Sequence, residues 1–176
     1  MKTKEITLVG VMTAITCVAA PFSIPLPISP VPITLGTLIL YYSIYLLGMK
    51  NALFSCLVYL LIGLAGLPVF SGFSGGFGKL AGPTGGYLTG YILMICISGI
   101  LMEKFGKKIW QQFLALMTGT CICYLFGTLW LCIQMKTDFI SGLGMAVLPY
   151  VPFDMIKMLL AAMTGRVIAG RVKRAM

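Results

Sequence analysis

A glycine-rich segment, residues 66–91, lies between apolar runs that are long enough to cross a membrane. Nine of its 26 residues are glycine and two are proline. Glycine costs about 1 kcal/mol per helical position relative to alanine, so an ordinary helix through this segment is disfavoured. Its large apolar side chains, too many for a solvated linker, are Val69, Phe70, Phe73, Phe77 and Leu80. We expect a folded loop that dips into or caps a cavity between helices and closes over a ligand.

The composition places the chain among integral membrane proteins. Of its 176 residues 59% are hydrophobic and 10% are charged, with a mean hydropathy of +1.01, whereas soluble domains carry about 25% charged residues. The length suits a single all-α domain, residues 1–176, with six transmembrane helices. The net charge of +9 is spread over the ends of the apolar runs, which favours contact with a lipid bilayer and not with nucleic acid.

Neither a catalytic site nor a metal site is expected. The chain has no histidine, which removes the commonest proton shuttle and the commonest zinc ligand. Its six cysteines lie in apolar runs without a CxxC pair, and we interpret them as small buried residues. Without a nucleophile–base pair, a membrane-embedded enzyme is disfavoured, and no cofactor is predicted.

The glycine-rich segment does not match a nucleotide-binding loop. A Walker loop requires the pattern GxxxxGK[ST]. Phe73 stands where the first glycine before Gly78-Lys79 would be, and Leu80 follows the lysine. We therefore do not expect this chain to hydrolyse ATP itself.

Six membrane spans are predicted from the apolar runs. The first, about residues 6–20, is similar to a signal peptide, but Pro21 follows at once and further spans come after it, so we expect it to stay uncleaved. The other spans are expected at about residues 33–47, 52–67, 84–102, 110–135 and 146–168. The expected connections include a proline-rich extended segment at 21–32, a tight turn at 48–51 and a small loop at 136–144.

The distribution of lysine and arginine predicts the orientation. Six spans put nine basic residues on one side of the membrane: Lys2, Lys4, Lys50, Lys104, Lys107, Lys108, Arg171, Lys173 and Arg174. The other side receives only Lys79 and Lys136. Because positive charge is enriched on the cytoplasmic side, both termini are expected in the cytoplasm and the glycine-rich segment outside.

Asp154 and Lys157 give the sharpest functional signal, because charged groups within a membrane span cost several kcal/mol. Their i, i+3 spacing puts both on one helix face. They are either a structural ion pair or part of a ligand site, and we favour the ligand site. A carboxylate beside an ammonium suits a ligand head that offers both N–H donors and a carbonyl acceptor, such as a urea or an amide.

Two further pairs of residues each leave two interpretations open. Tyr87 and Tyr91, four apart in the first turns of the fourth span, either serve in interface anchoring or packing, or form a wall of the ligand pocket. Gly10 and Ala14 form a small-xxx-small pair on the first span. They permit close helix approach, either within the chain or to a partner subunit.

Three motifs resemble those of the BioY family, the biotin-specific substrate-binding (S) components of energy-coupling-factor (ECF) transporters. They are the glycine-rich segment with LAGPTGGYL, PVPITL at 30–35, and PFDMIK at 152–157. The resemblance covers nearly the whole chain. It implies a six-helix protein of the bacterial cell membrane that binds biotin with high affinity near its outer face.

The resemblance also implies roles for particular residues. Asp154 and Lys157 would contact the ureido head of biotin, and the loop carrying Ser74 and Gly75 would lie over the pocket, next to Tyr87. Gly10 and Ala14 would dock a transmembrane coupling subunit. Two cytoplasmic ATPase subunits would then drive uptake.

Two positions depart from the family pattern. Gly36 stands where glutamine often follows PVPITL, and Ser74 stands where the family has an asparagine that reaches the head group. The alternatives to an ECF biotin component are a carrier that works alone and an S component for another small water-soluble vitamin.

Overall fold

The computed structural model describes residues 3–27 and 29–175. Lys2, one of the basic residues used to predict the orientation, lies outside them, as does the side chain of Lys173. Within this part the chain forms seven helices and one two-stranded sheet. The elements are α1 (Thr3–Ala19), β1 (Ser23–Leu26), β2 (Ser29–Thr34), α2 (Gly36–Leu64), α3 (Phe77–Ala81), α4 (Gly85–Phe105), α5 (Ile109–Met135), α6 (Phe139–Ala146) and α7 (Val151–Ala175).

The protein is a mostly helical membrane protein. By length and composition α2, α4 and α5 can each cross a bilayer. A fourth crossing is possible if α6 and α7, which meet at an angle of 56°, act as one bent span. The fold class predicted from the sequence is confirmed at this level among the described residues.

A backbone break at Gly48 divides α2. Gly48 has φ 74° and ψ 170°, outside the helical range and suited to glycine. Beyond the break, Met49 N lies 3.4 Å from a carboxylate oxygen of Glu103 at the end of α4. The predicted turn is confirmed at its first residue, whereas residues 49–51 are already helical.

Both ends of α2 lie near the end of α1, so the chain reverses direction at Gly48. A Cβ atom on Gly36 would approach Ala20 Cβ to 2.9 Å. At the other end, Gly63 O accepts from Gly76 N at 2.7 Å. The loop that carries Gly76 also lies beside the end of α1, because Gly72 N donates to Pro21 O at 3.0 Å. The two halves of α2 thus form a helical hairpin.

The proline-rich connection forms a β-hairpin, so the all-α prediction is wrong at this segment. Strands β1 and β2 pair antiparallel, with Ser23 opposite Thr34 and Ile24 opposite Ile33. The segment is extended, as proline predicts. Each strand of a two-stranded sheet is an edge strand, where the missing N–H groups of proline are tolerated.

The glycine-rich segment contains one short helix that was not expected, whereas its last residues belong to the span expected from about residue 84. The five-residue α3 lies within it, and α4 begins at Gly85. Gly86 and Gly90 lie where α4 packs on α5: a Cβ atom on Gly86 would clash with Trp130 Cβ, and one on Gly90 would approach Cys123 Sγ to 3.0 Å. Close helix packing outweighs the low intrinsic propensity of glycine here.

A short helix, α6, replaces the loop expected at 136–144. Asp138 caps its N-terminus, since the carboxylate accepts from Ser141 N at 3.0 Å and from Ser141 Oγ at 2.7 Å. The Asp138 cap is a local signal in the sequence, three residues before the serine that it binds.

Candidate functional site

One cavity lies among β2, α2, α4, α5 and α7. The volume of the cavity is about 50 Å³. The cavity is therefore narrow. Its polar lining consists of Thr34, Thr37, Tyr41, Tyr87, Tyr91, Thr120, Tyr124, Tyr150, Asp154 and Lys157.

Asp154 and Lys157 form a buried ion pair in this cavity, 6% and 9% exposed. Lys157 Nζ lies 2.8 Å from Asp154 Oδ1. The same ammonium also donates to Thr34 O at 2.8 Å and to Thr37 Oγ1 at 3.0 Å. Its three protons thus have three acceptors, which satisfies the charge within the apolar bundle.

The second oxygen of the Asp154 carboxylate is bound from α5. The Tyr124 hydroxyl donates to Asp154 Oδ2 at 2.5 Å. The Thr37 hydroxyl lies 3.5 Å from Asp154 Oδ1. A carboxylate offers about four acceptor positions, so one near Oδ2 stays available for a ligand N–H group.

Further hydroxyl groups tie the walls of the cavity together. Tyr41 and Thr120 join α2 to α5 at 2.8 Å, and Tyr87 and Thr128 join α4 to α5 at 2.9 Å. The Tyr150 hydroxyl donates to the carbonyl oxygen of Val31 in β2. These bonds hold tyrosine rings, which are both apolar and polar, around the narrow space.

The structure brings together three of the five predicted ligand-site residues. Asp154, Lys157 and Tyr87 all line the cavity, and the wall role considered for Tyr91 also agrees with its position. The start of α4 is the part of the glycine-rich segment that reaches the cavity. Residues 31–34 of the β-hairpin form another wall.

Ser74 and Gly75 do not line the cavity. The Ser74 hydroxyl donates to Ser71 O at 2.8 Å, within its own loop. Gly75 packs against the backbone of Leu67, where a Cβ atom would clash with the carbonyl oxygen. Their contact with a ligand stays a prediction.

Gly10 and Ala14 lie on the exposed face of α1. A Cβ atom on Gly10 would have no neighbour within 4 Å. The buried face of the helix is formed by other residues, Val9, Met12, Thr13 and Thr16. Packing within the chain therefore does not account for the small pair, and its role in docking a partner stays a prediction.

Three residues of the site were not predicted from the sequence: Tyr124, Thr37 and Thr34. A signal was present in α5, where Thr120 and Tyr124 stand four residues apart in an apolar span and therefore share a face. The contact of Thr34 with Lys157 is made by a backbone carbonyl, and no side-chain pattern could have revealed it.

Comparisons with known proteins show the family to which this chain belongs. Residues 1–174 match the BioY family model. A biotin transporter BioY from Thermotoga maritima is 40% identical over 166 residues, covering 94% of this chain and 93% of the relative. A probable biotin transporter BioY from Pyrococcus horikoshii is 35% identical over 175 residues, covering 98% of each chain.

A solved structure has the same fold. It is a crystal structure, at 2.1 Å, of the S-component for biotin from an ECF-type ABC transporter. The TM-score is 0.89 at 27% identity, covering 95% of this chain and 91% of that chain. The resemblance that the three motifs indicated is thereby confirmed over almost the entire length: this chain belongs to the BioY family.

Proposed function

We propose that this protein binds biotin with high affinity and serves as the S component of an ECF transporter that takes biotin up across the cell membrane. The observation that carries the proposal is the buried Asp154–Lys157 pair, which faces a cavity in a chain of the BioY family. The relatives are transporters by name, in agreement with the expectation that the chain is not an enzyme.

The pair suits the ureido ring of biotin. That ring presents two N–H donors and one carbonyl acceptor. The free acceptor position near Asp154 Oδ2 would take a ureido N–H, and Lys157 would donate to the ureido oxygen. Tyr87 would contact the ring system from α4.

Ligand binding requires the site to open. The narrow cavity has room for only a few water molecules, and all three protons of Lys157 have protein acceptors. A ureido oxygen would take the place of Thr34 O, the acceptor that comes from the β-hairpin. The hairpin would then move away from α7, and the loop with Ser74 and Gly75 would close over the ligand.

The proposed topology is a single domain of six spans: α1, the two halves of α2, α4, α5 and α7. At one end of the bundle, Met49 N contacts the Glu103 carboxylate and Arg166 donates to Lys107 O. The exposed basic residues of that end support placing it, and both termini, in the cytoplasm. The glycine-rich segment then lies outside.

The proposed partners are a transmembrane coupling subunit and two cytoplasmic ATPase subunits. The exposed face of α1 supports this, because Gly10 and Ala14 would let a partner helix approach closely.

Calorimetry on the purified protein tests the proposal, with biotin compared with 2-iminobiotin, thiamine and riboflavin. Biotin is expected to bind tightly. Iminobiotin, which lacks the ureido oxygen, is expected to bind more weakly, because Lys157 would have no acceptor on it. Tighter binding of another vitamin would overturn the assignment of the substrate.

A further inference from the structure

A wide groove lies on the outer surface of the bundle, between the start of α5 and the first half of α7. Its volume is about 780 Å³, compared with about 50 Å³ for the ligand cavity. Trp110 and Phe113 form one wall, and Ile156 and Leu159 form the other. Trp110 and Ile156 are more than half exposed, at 57% and 59%.

The groove and the biotin site use opposite faces of α7. Asp154 and Lys157 point into the bundle and are buried. Ile156 and Leu159 point outward and are exposed. Substitutions in the groove can therefore be made without changing a side chain of the ligand cavity.

Two lysines lie at one end of the groove. Lys107 and Lys108 line it, and both are exposed. Within residues 3–27 and 29–175, no ion pair joins either lysine to a carboxylate. Arg166 Nη1 donates to Lys107 O at 2.7 Å, which brings a third cation to the same end.

We propose that this groove binds one anionic phospholipid, with its phosphate at Lys107 and Lys108 and an acyl chain along Trp110, Ile156 and Leu159. The charge complementarity favours a lipid over an apolar helix, which would leave two lysines at the membrane surface without a counter-charge. Basic pockets between transmembrane helices are typical sites for acidic headgroups. The aromatic ring of Trp110 suits the boundary between headgroup and chain.

The proposed lipid site is separate from the proposed docking face. Gly10 and Ala14 lie on α1, which packs against α2, whereas the groove lies between α5 and α7. The lipid and a coupling subunit therefore bind to different helices. The proposal does not depend on the identity of the transported ligand.

Fluorescence quenching in vesicles tests the proposal. The chain has two tryptophans, so Trp130→Phe leaves Trp110, in the groove, as the only reporter. The full chain is reconstituted in phosphatidylcholine vesicles that contain either brominated phosphatidylglycerol or brominated phosphatidylcholine. Brominated phosphatidylglycerol is expected to quench Trp110 with a preference of about tenfold over brominated phosphatidylcholine, because two lysines attract its phosphate.

Two sets of variants check the origin of the preference. Lys107→Gln with Lys108→Gln should reduce it to nearly none. Lys50→Gln with Lys104→Gln is the matched control, since these exposed lysines do not line the groove. Ile156→Phe with Leu159→Phe should lower quenching by both lipids by filling the groove.

Equal quenching by the two lipids in the Trp130→Phe protein would overturn the proposal. An equal loss in the control pair would also overturn it, because the attraction would then be a general effect of positive charge. Biotin affinity, measured on every variant, reports that the bundle is folded and is expected to be unchanged. If the Trp130→Phe protein did not bind biotin at all, that result would instead contradict the proposed function.

Discussion

The Tyr124 hydroxyl donates a 2.5 Å hydrogen bond to Asp154 Oδ2 and so joins α5 to α7 beside the cavity. The other oxygen of this carboxylate is bound by Lys157. Asp154 is therefore held from two sides, by a cation on its own helix and by a neutral donor on the neighbouring helix. This arrangement fixes the direction in which the remaining acceptor position points.

Tyr124→Phe is expected to weaken biotin binding about tenfold. The ring stays in place, but the carboxylate loses a hydrogen bond of the charged class, worth about 1.5–3 kcal/mol, and 1.4 kcal/mol corresponds to a factor of ten. Equilibrium binding in detergent measures the change. Tyr42→Phe is the matched control, because its hydroxyl bonds Thr164 and does not line the cavity. Equal affinities of the two variants would contradict the role of Tyr124.

Asp154→Asn is expected to weaken biotin binding by about tenfold or more while the protein still inserts and folds. The substitution keeps the shape but leaves the buried Lys157 without a counter-charge and removes an acceptor for the ligand. Calorimetry on the purified variant measures the affinity. A folded variant that binds biotin as tightly as the unsubstituted protein would disprove the site assignment. Asp138→Asn, at the α6 cap, is the control.

Leucine at Gly10 or Ala14 is expected to block biotin uptake by cells without changing biotin binding. Both positions are exposed on α1, so a larger side chain would not disturb the bundle but would keep a partner helix away. Uptake of labelled biotin is compared with binding to the purified protein. Ile133→Trp, at another exposed position, should leave uptake intact. Loss of binding in the α1 variants would mean that these residues act within the subunit.

Gly86→Ala is expected to destabilise the protein by about 1–3 kcal/mol, the usual cost of overpacking. The added methyl group would clash with Trp130 Cβ and force α4 away from α5. Thermal unfolding in detergent measures the loss. Gly78→Ala is the control within the same glycine-rich segment, because a Cβ atom there has no neighbour within 4 Å. Equal melting temperatures for the two variants would contradict the prediction, because α4 could then move away from α5 without loss of stability.

The prediction from sequence was most successful where charge or apolar length limits the alternatives. Asp154 and Lys157 were assigned to one polar site because charged groups in a span need partners, and they lie together in the cavity. Tyr124 was not assigned, because a tyrosine in an apolar span is compatible with packing, with interface anchoring and with binding. Only the approach of α5 to α7 distinguishes these roles.

Two segments show where the local sequence pattern was not sufficient. The prolines of 21–32 indicated extended backbone, but the pairing of β1 with β2 depends on a tertiary arrangement that puts Leu26 opposite Ser29. The glycines at the start of α4 lower its helix propensity, although the span expected from about residue 84 does begin there. Their effect is reversed by packing, since the missing side chains are what allow α4 to lie against Trp130.

By itself the sequence determined the membrane class, the family, the break at Gly48 and the buried charged pair. These features follow from composition, from glycine backbone freedom and from the cost of charge in an apolar medium. The tertiary structure decided which neutral groups complete the site: Tyr124 and the carbonyl oxygen of Thr34 reach the pair from elements distant in the chain. The tertiary structure also decided which part of the glycine-rich segment lines the cavity, namely the start of α4. The local sequence pattern does not determine this, because contacts between elements depend on how the helices pack.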